Sequence, residues 1–206
     1  MRPTLIALDA DGVLLDFHLA YARAWERAFG AIPAERDPDA YWPHHRYAVT
    51  RLEAPELTHF LAHFDEPFWA SVPPMPGARE ACERLAGAGF ELVCVTALEK
   101  RFEAARLRNL QALGFPIDRV IATGNATGER SPKAEAIAEL QPAAFADDYL
   151  PYLRGLPTSV HTALILRGPN GSPNTGPDLA QVRSTHADLS DFVDHWLATA
   201  RGNERR

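Results

Sequence analysis

The sequence has little cysteine, almost no lysine and no long hydrophobic run. Cys82 and Cys94 are its only cysteines, and they fall in an expected helix and an expected strand, where each is a small buried hydrophobe. Two such residues build neither a disulfide framework nor a zinc site, so a reducing cytoplasm is the expected compartment. No stretch approaches the roughly 20 apolar residues of a membrane span. The N-terminal apolar run is short and meets Asp9 and Asp11, unlike a secretory signal. Positive charge is also in deficit. The formal net charge of -6 gives no general attraction to nucleic acid or to an anionic membrane, so recognition of any anion must be local. What remains is ordinary: 206 residues, 46% apolar and 23% charged, enough for one well-buried soluble domain with a small insert.

The chain is organised around Leu5-Ile6-Ala7-Leu8-Asp9-Ala10-Asp11-Gly12-Val13-Leu14. A short, continuous apolar run reads as a strand buried on both faces of a parallel sheet. It ends in two carboxylates spaced two apart, then a glycine that lets the backbone turn away. In an open α/β sheet, ligands sit beyond the carboxyl ends of the strands, where these aspartates fall. A calcium loop does not fit, because its glycine belongs at the sixth position and here Gly12 is fourth from Asp9.

After Leu14 the spacing becomes helical. Asp16 caps a helix carrying Phe17, Tyr21, Ala24, Trp25 and Ala28, and Gly30 stops it. An aromatic, proline-punctuated region follows, then a helical stretch over Leu57–Phe64 and the stiff return Val72-Pro73-Pro74-Met75-Pro76-Gly77. Residues 17–72 are therefore expected to form a helical insert, with 1–16 and 73–206 as the main domain. From Ala78 strands and helices alternate. Helices are expected at Ala78–Ala88, Phe102–Leu113, Lys133–Leu140 and Leu189–Ala200. Strands are expected at Phe90–Val95, Arg119–Ala122, Ala143–Ala146 and Val160–Leu166, with a loop from Gly168 to Pro177 and a frayed tail from Gly202. This alternation implies an α/β fold, a Rossmann-like doubly wound parallel sheet with an inserted helical cap.

The strand ends supply a set: Asp9 and Asp11, Thr96, Lys133 near a helix start, and Asp147 with Asp148. Clustered carboxylates repel and need a cation to be stable together. Oxygen-only ligands favour Mg²⁺, which takes one or two carboxylates plus waters and a phosphate. Lys133 is one of two lysines beside nineteen arginines, which points to a need for a compact ammonium rather than a guanidinium fork.

In order and spacing this set resembles the haloacid dehalogenase (HAD) superfamily. Asp9-Ala10-Asp11-Gly12-Val13-Leu14 matches the first motif, Thr96 after Leu92-Val93-Cys94-Val95 the second, Lys133 the third and Asp147-Asp148 the fourth. The resemblance implies a phosphatase, or a phosphosugar mutase of the same fold, with Asp9 as nucleophile and Asp11 as acid–base. Dehalogenases of the family lack that second acid, and phosphonatases need a cap lysine that residues 16–72 do not contain. It further implies a small phosphorylated substrate held by Thr96, Ala97 and Lys133, and Mg²⁺ held by Asp9, Asp11 (through its carbonyl), Asp147 and Asp148. A non-catalytic phospho-ligand module would have lost Asp9 or Asp11. His44, His45, Arg46 and Arg51, lying among Tyr41, Trp42 and Tyr47, are candidates for reading the substrate from the cap.

Overall fold

The computed structural model describes residues 4–126 and 128–203; the end of the tail, 204–206, lies outside them. Six strands form one parallel sheet: β1 (Leu5–Leu8), β2 (Glu91–Thr96), β3 (Val120–Ala122), β4 (Ala144–Asp147), β5 (His161–Ile165) and β6 (Ser184–His186). Their spatial order is β3-β2-β1-β4-β5-β6. The chain thus winds outward from β1 in one direction, returns, and winds out the other way through β4. The crevice at the carboxyl ends of β1 and β4 is the topological switch point, where such sheets bind ligands. Asp9 follows β1 there, and Asp147 ends β4.

Successive side chains of a strand point to opposite faces. Ile6 and Leu8 of β1 join one core cluster with Cys82, Leu85, Leu110, Phe192 and Val193. Those partners come from α5 (Ala78–Gly87), α6 (Glu103–Ala112) and α8 (Leu189–Asn203). Ala7 points the other way, into a cluster with Val93, Val95, Phe145 and Ile137 of α7 (Ala134–Leu140). Both faces are covered, which is why the strands are continuously apolar rather than alternating.

Between β1 and α5 lies an insertion with helices α1 (Phe17–Phe29), α2 (Pro43–Arg46), α3 (Ala54–Leu61) and α4 (Glu66–Trp69). Asp16 accepts from the Leu19 N–H at 2.9 Å, and Gly30 closes α1 in the left-handed region at φ +85°, as local sequence dictates. The two connections lie side by side: Asp16 N–H donates to Pro73 O at 2.8 Å and Met75 N–H to Leu14 O at 2.9 Å. Helix α3 starts three residues ahead of its sequence expectation because Glu53 and Glu56 form a reciprocal capping box. Strand β6 was not expected at all. Its three residues, Ser184, Thr185 and His186, carry no apolar pattern, and it forms because β5 offers a free edge.

Candidate active site

The floor of the crevice is built by three buried carboxylates, Asp9, Asp147 and Asp148, each with an oxygen within 4.8 Å of the others. Lys133, at the N-cap of α7, is fully buried beneath them. Its Nζ donates to Asp9 Oδ1 and to Asp147 Oδ2, both at 2.6 Å. Ser131 Oγ accepts from the Lys133 N–H at 3.1 Å and fixes the approach of this segment. Burial disfavours the charged carboxylate and pushes the pKa of Asp9 well up, with Lys133 opposing. Asp147 is raised for the same leading reason. Such a centre is short of positive charge.

Asp148 is held differently. Arg167 Nε donates to its Oδ2, and the Tyr41 hydroxyl lies 3.3 Å from both that oxygen and the Asp148 backbone carbonyl. Asn174 Nδ2 donates to the same carbonyl at 2.7 Å. Gly12 (φ +91°) makes this packing possible, since a Cβ there would come within 2.4 Å of Arg167 Nε and of Asp148 Oδ2.

Asp11 lies outside the carboxylate triad. Arg106 of α6, itself fully buried, places Nη2 2.9 Å from both Asp11 oxygens. The guanidinium carbon stands 5.2 Å from the centre of the Trp69 ring, which compensates part of its burial. Burial raises the Asp11 pKa above the ordinary carboxylate value, and Arg106 is the largest opposing influence. Asp11 is therefore a fixed carboxyl facing the cleft with its proton held more firmly than usual.

These groups open into a cleft of about 410 Å³ lined by Asp9, Asp11, Thr96, Ala97, Asp148 and Arg167, with a wall of Phe17, Tyr41, Trp42, Trp69, Tyr149 and Tyr152. The four strand-end motifs thus converge on one place, although Lys133 lies below the cleft and not on its surface. The acidic donors also fit a hard divalent cation: all are oxygens, three are close together, and they outnumber the cations around them. Asp9, Asp147 and Asp148 are the side chains that would hold it. Asp11 would contribute no carboxylate, because Arg106 occupies both of its oxygens.

His44, His45, Arg46 and Arg51, grouped by sequence as substrate readers, are not assembled at this cleft. Arg46 turns into the insertion, pairing with Glu35 at 2.7 Å and donating to Pro38 O at 2.7 Å. His45 packs edge-on against His44, ring centroids 4.2 Å apart. His44 and Arg51 line a separate apolar trough of about 860 Å³ that shares Phe17 and Pro43 with the cleft. The short helix α2 separates neighbours in sequence by pointing them in different directions.

Arg106, Arg167 and Tyr41 were missed as site residues. A signal existed for Arg106 alone: it stands four residues after Phe102 and four before Leu110, on the apolar stripe of its helix. His18 was also missed. Its Nε2 lies 2.8 Å from Tyr41 O and 3.1 Å from Arg167 Nη1, and Arg46 Nη1 is 3.4 Å from its Nδ1. Burial first, then Arg167, lowers its pKa from 6.5 to about 4. The fold thus keeps His18 neutral while the unfolded chain protonates near 6.5, so its share of stability is present above that pH and is lost toward pH 4. The melting-temperature advantage of the wild type over His18→Asn should accordingly shrink as pH falls through this window. An advantage that is constant from pH 7 to 4 would contradict the assignment.

A doubly wound parallel sheet with an acidic centre at its switch point defines an α/β enzyme scaffold. Residues 3–148 match the haloacid dehalogenase-like hydrolases, and the chain belongs to that family. Over 97 residues it is 35% identical to a Bordetella pertussis protein named "Putative 5'(3')-deoxyribonucleotidase", covering 46% of this chain and 50% of that one. The chain thus spans about half the length of the curated relatives it matches. Among solved structures, a HAD family hydrolase from Deinococcus radiodurans R1 with bound phosphate and sodium superposes with a TM-score of 0.60 at 14% identity, covering 93% of each chain. An L-2-haloacid dehalogenase gives 0.56 at 18% identity, covering 94% of this chain and 99% of its own. These two likenesses are of fold.

Proposed function

We propose that this hydrolase is a Mg²⁺-dependent phosphatase of a small phosphate monoester, working through an aspartyl-phosphate on Asp9, with residues 17–72 as a cap over the cleft. The observation that carries the reading is the pairing of two unlike carboxyls. Burial raises the pKa of both, but their partners differ. Asp9 has one oxygen held by Lys133 and no hydrogen bond to the other among the described residues, while Asp11 has both oxygens fixed by Arg106 outside the triad. A dehalogenase needs the first group only. A phosphatase also needs an acid to protonate the leaving alkoxide and a base to activate water.

In this scheme an Asp9 oxygen bonds to phosphorus as the ester oxygen leaves, taking the proton of Asp11. Ionised Asp11 then removes a proton from the water that hydrolyses the acyl phosphate. Lys133 holds the nucleophile in place, and Thr96 with the Ala97 backbone lines the phosphoryl side. A bound Mg²⁺ would supply charge neutralisation for the phosphoryl oxygens. The aromatic wall favours an alcohol that carries a flat ring, since offset stacking on such side chains adds to area burial. A nucleoside monophosphate has that chemistry, and the name of the Bordetella relative supports it.

Asp11→Asn tests the scheme. Turnover of alkyl phosphates should fall by about 10²–10⁴-fold, the usual worth of a positioned acid–base. An activated aryl phosphate needs little protonation, so it should still phosphorylate Asp9, and the adduct should accumulate and be visible by intact mass. Assayed with Mg²⁺ on nucleoside, sugar and aryl phosphates, a folded mutant with wild-type rates throughout would sink the assignment.

A further inference from the structure

We infer that Arg167 is a resident counter-charge of the acidic centre: it weakens the binding of a divalent cation by itself and couples that binding to the arrival of a phosphoryl group. The inference rests on the proposed function for its phosphoryl half, and on the geometry of Asp148 for the rest.

Lys133 bridges Asp9 and Asp147 and makes no ion pair with Asp148. Among the described residues Arg167 forms an ion pair with Asp148 alone. Asp9 and Asp147 therefore share one cation and Asp148 has its own, so with all three carboxylates ionised, as a metal ligand set requires, three negative charges face two positive ones. A divalent cation entering alone would turn this single negative excess into a single positive one. A phosphoryl dianion entering with it restores the original sign. Uncompensated charge in a buried site is costly, so each ligand should bind more tightly when the other is present, by the same factor.

The pair is built into the fold rather than resting on the surface. The Arg167 guanidinium carbon lies 4.8 Å from the centre of the Tyr41 ring, and Tyr41 OH reaches the same Asp148 oxygen that Arg167 holds. The backbone at Gly168 passes so close to the insertion that a Cβ would meet Ala40 and Tyr41 main-chain atoms at 2.9 Å. Tyr41 N–H donates to Asn170 O at 2.9 Å, tying the insertion to the segment that carries Arg167. The Arg167 side chain is still 20% exposed and lines the cleft, within reach of whatever enters.

Calorimetric titration of Mg²⁺ into the full chain, with and without inorganic phosphate, tests this without any turnover. Wild type should bind Mg²⁺ about tenfold more tightly when phosphate is present, within the usual range of site coupling. R167Q should bind Mg²⁺ alone about tenfold more tightly than wild type, and phosphate should then add little. R167K, which keeps the charge, should behave as wild type. The inference is overturned if folded R167Q binds Mg²⁺ no more tightly than wild type. It is equally overturned if phosphate leaves the wild-type Mg²⁺ affinity unchanged, a result that does not depend on the variant folding. Failure of the proposed reaction would show separately: Mg²⁺ affinity would respond to Arg167 while no phosphate ester was hydrolysed.

Discussion

Asp9→Asn should abolish turnover, by at least about 10³-fold, while leaving the circular dichroism spectrum unchanged; losses of this order or more follow removal of a covalent nucleophile. The fold should survive because the asparagine carbonyl can still accept the Lys133 hydrogen bond that Asp9 Oδ1 now takes at 2.6 Å. The chemistry should not survive, because an amide oxygen cannot form a hydrolysable acyl phosphate as the carboxylate does. Phosphate release from an aryl ester is the measurement. A folded Asp9→Asn protein with near-normal rates would remove the nucleophile from the scheme.

Lys133→Met should be the most damaging change to stability. The ammonium is fully buried between Asp9 and Asp147, and these neighbours hold its pKa well above the ordinary lysine value against burial. Its removal leaves two buried carboxylates with no cation between them. Breaking a buried pair by deleting one partner costs about 3–5 kcal/mol, which for a chain of this size is a fall in melting temperature of roughly 10 °C. Added Mg²⁺ should restore part of the loss, since it supplies charge to the same oxygens. Arginine is a poor replacement, because its planar fork must fit where a single nitrogen now touches both oxygens. A melting temperature for Lys133→Met within 2 °C of wild type would refute the account, where about 10 °C is expected.

Much of this is legible in the sequence. The run Leu5–Leu8, the turn residues after it, and the alternation of strands and helices from Ala78 are local patterns, and they determined a doubly wound sheet with Asp9 at its switch point. Asp16 and Gly30 likewise wrote the ends of α1 into the sequence, because capping acts within one turn of the chain. Thr96, Asp147 and Asp148 were placed by the same logic, each standing where an apolar strand stops.

The partners of those groups were not legible. Arg106 is 95 residues from Asp11 and looks, in isolation, like any helix arginine. Arg167 follows β5 and meets Asp148 beyond the end of the neighbouring strand β4, and Tyr41 reaches the same carboxylate from the insertion, 107 residues away. The cluster at His44–Arg51 differs in the opposite direction, in where the structure places its members. Proximity in sequence suggests one recognising surface, whereas in the structure Arg46 pairs with Glu35 and His44 and Arg51 line a second trough. Period and turn chemistry are properties of adjacent residues, so the sequence alone could determine the strands and what ends them. Which cation neutralises which buried carboxylate depends on distances that exist only once the sheet has closed and the insertion has docked, and that was decided by the tertiary structure.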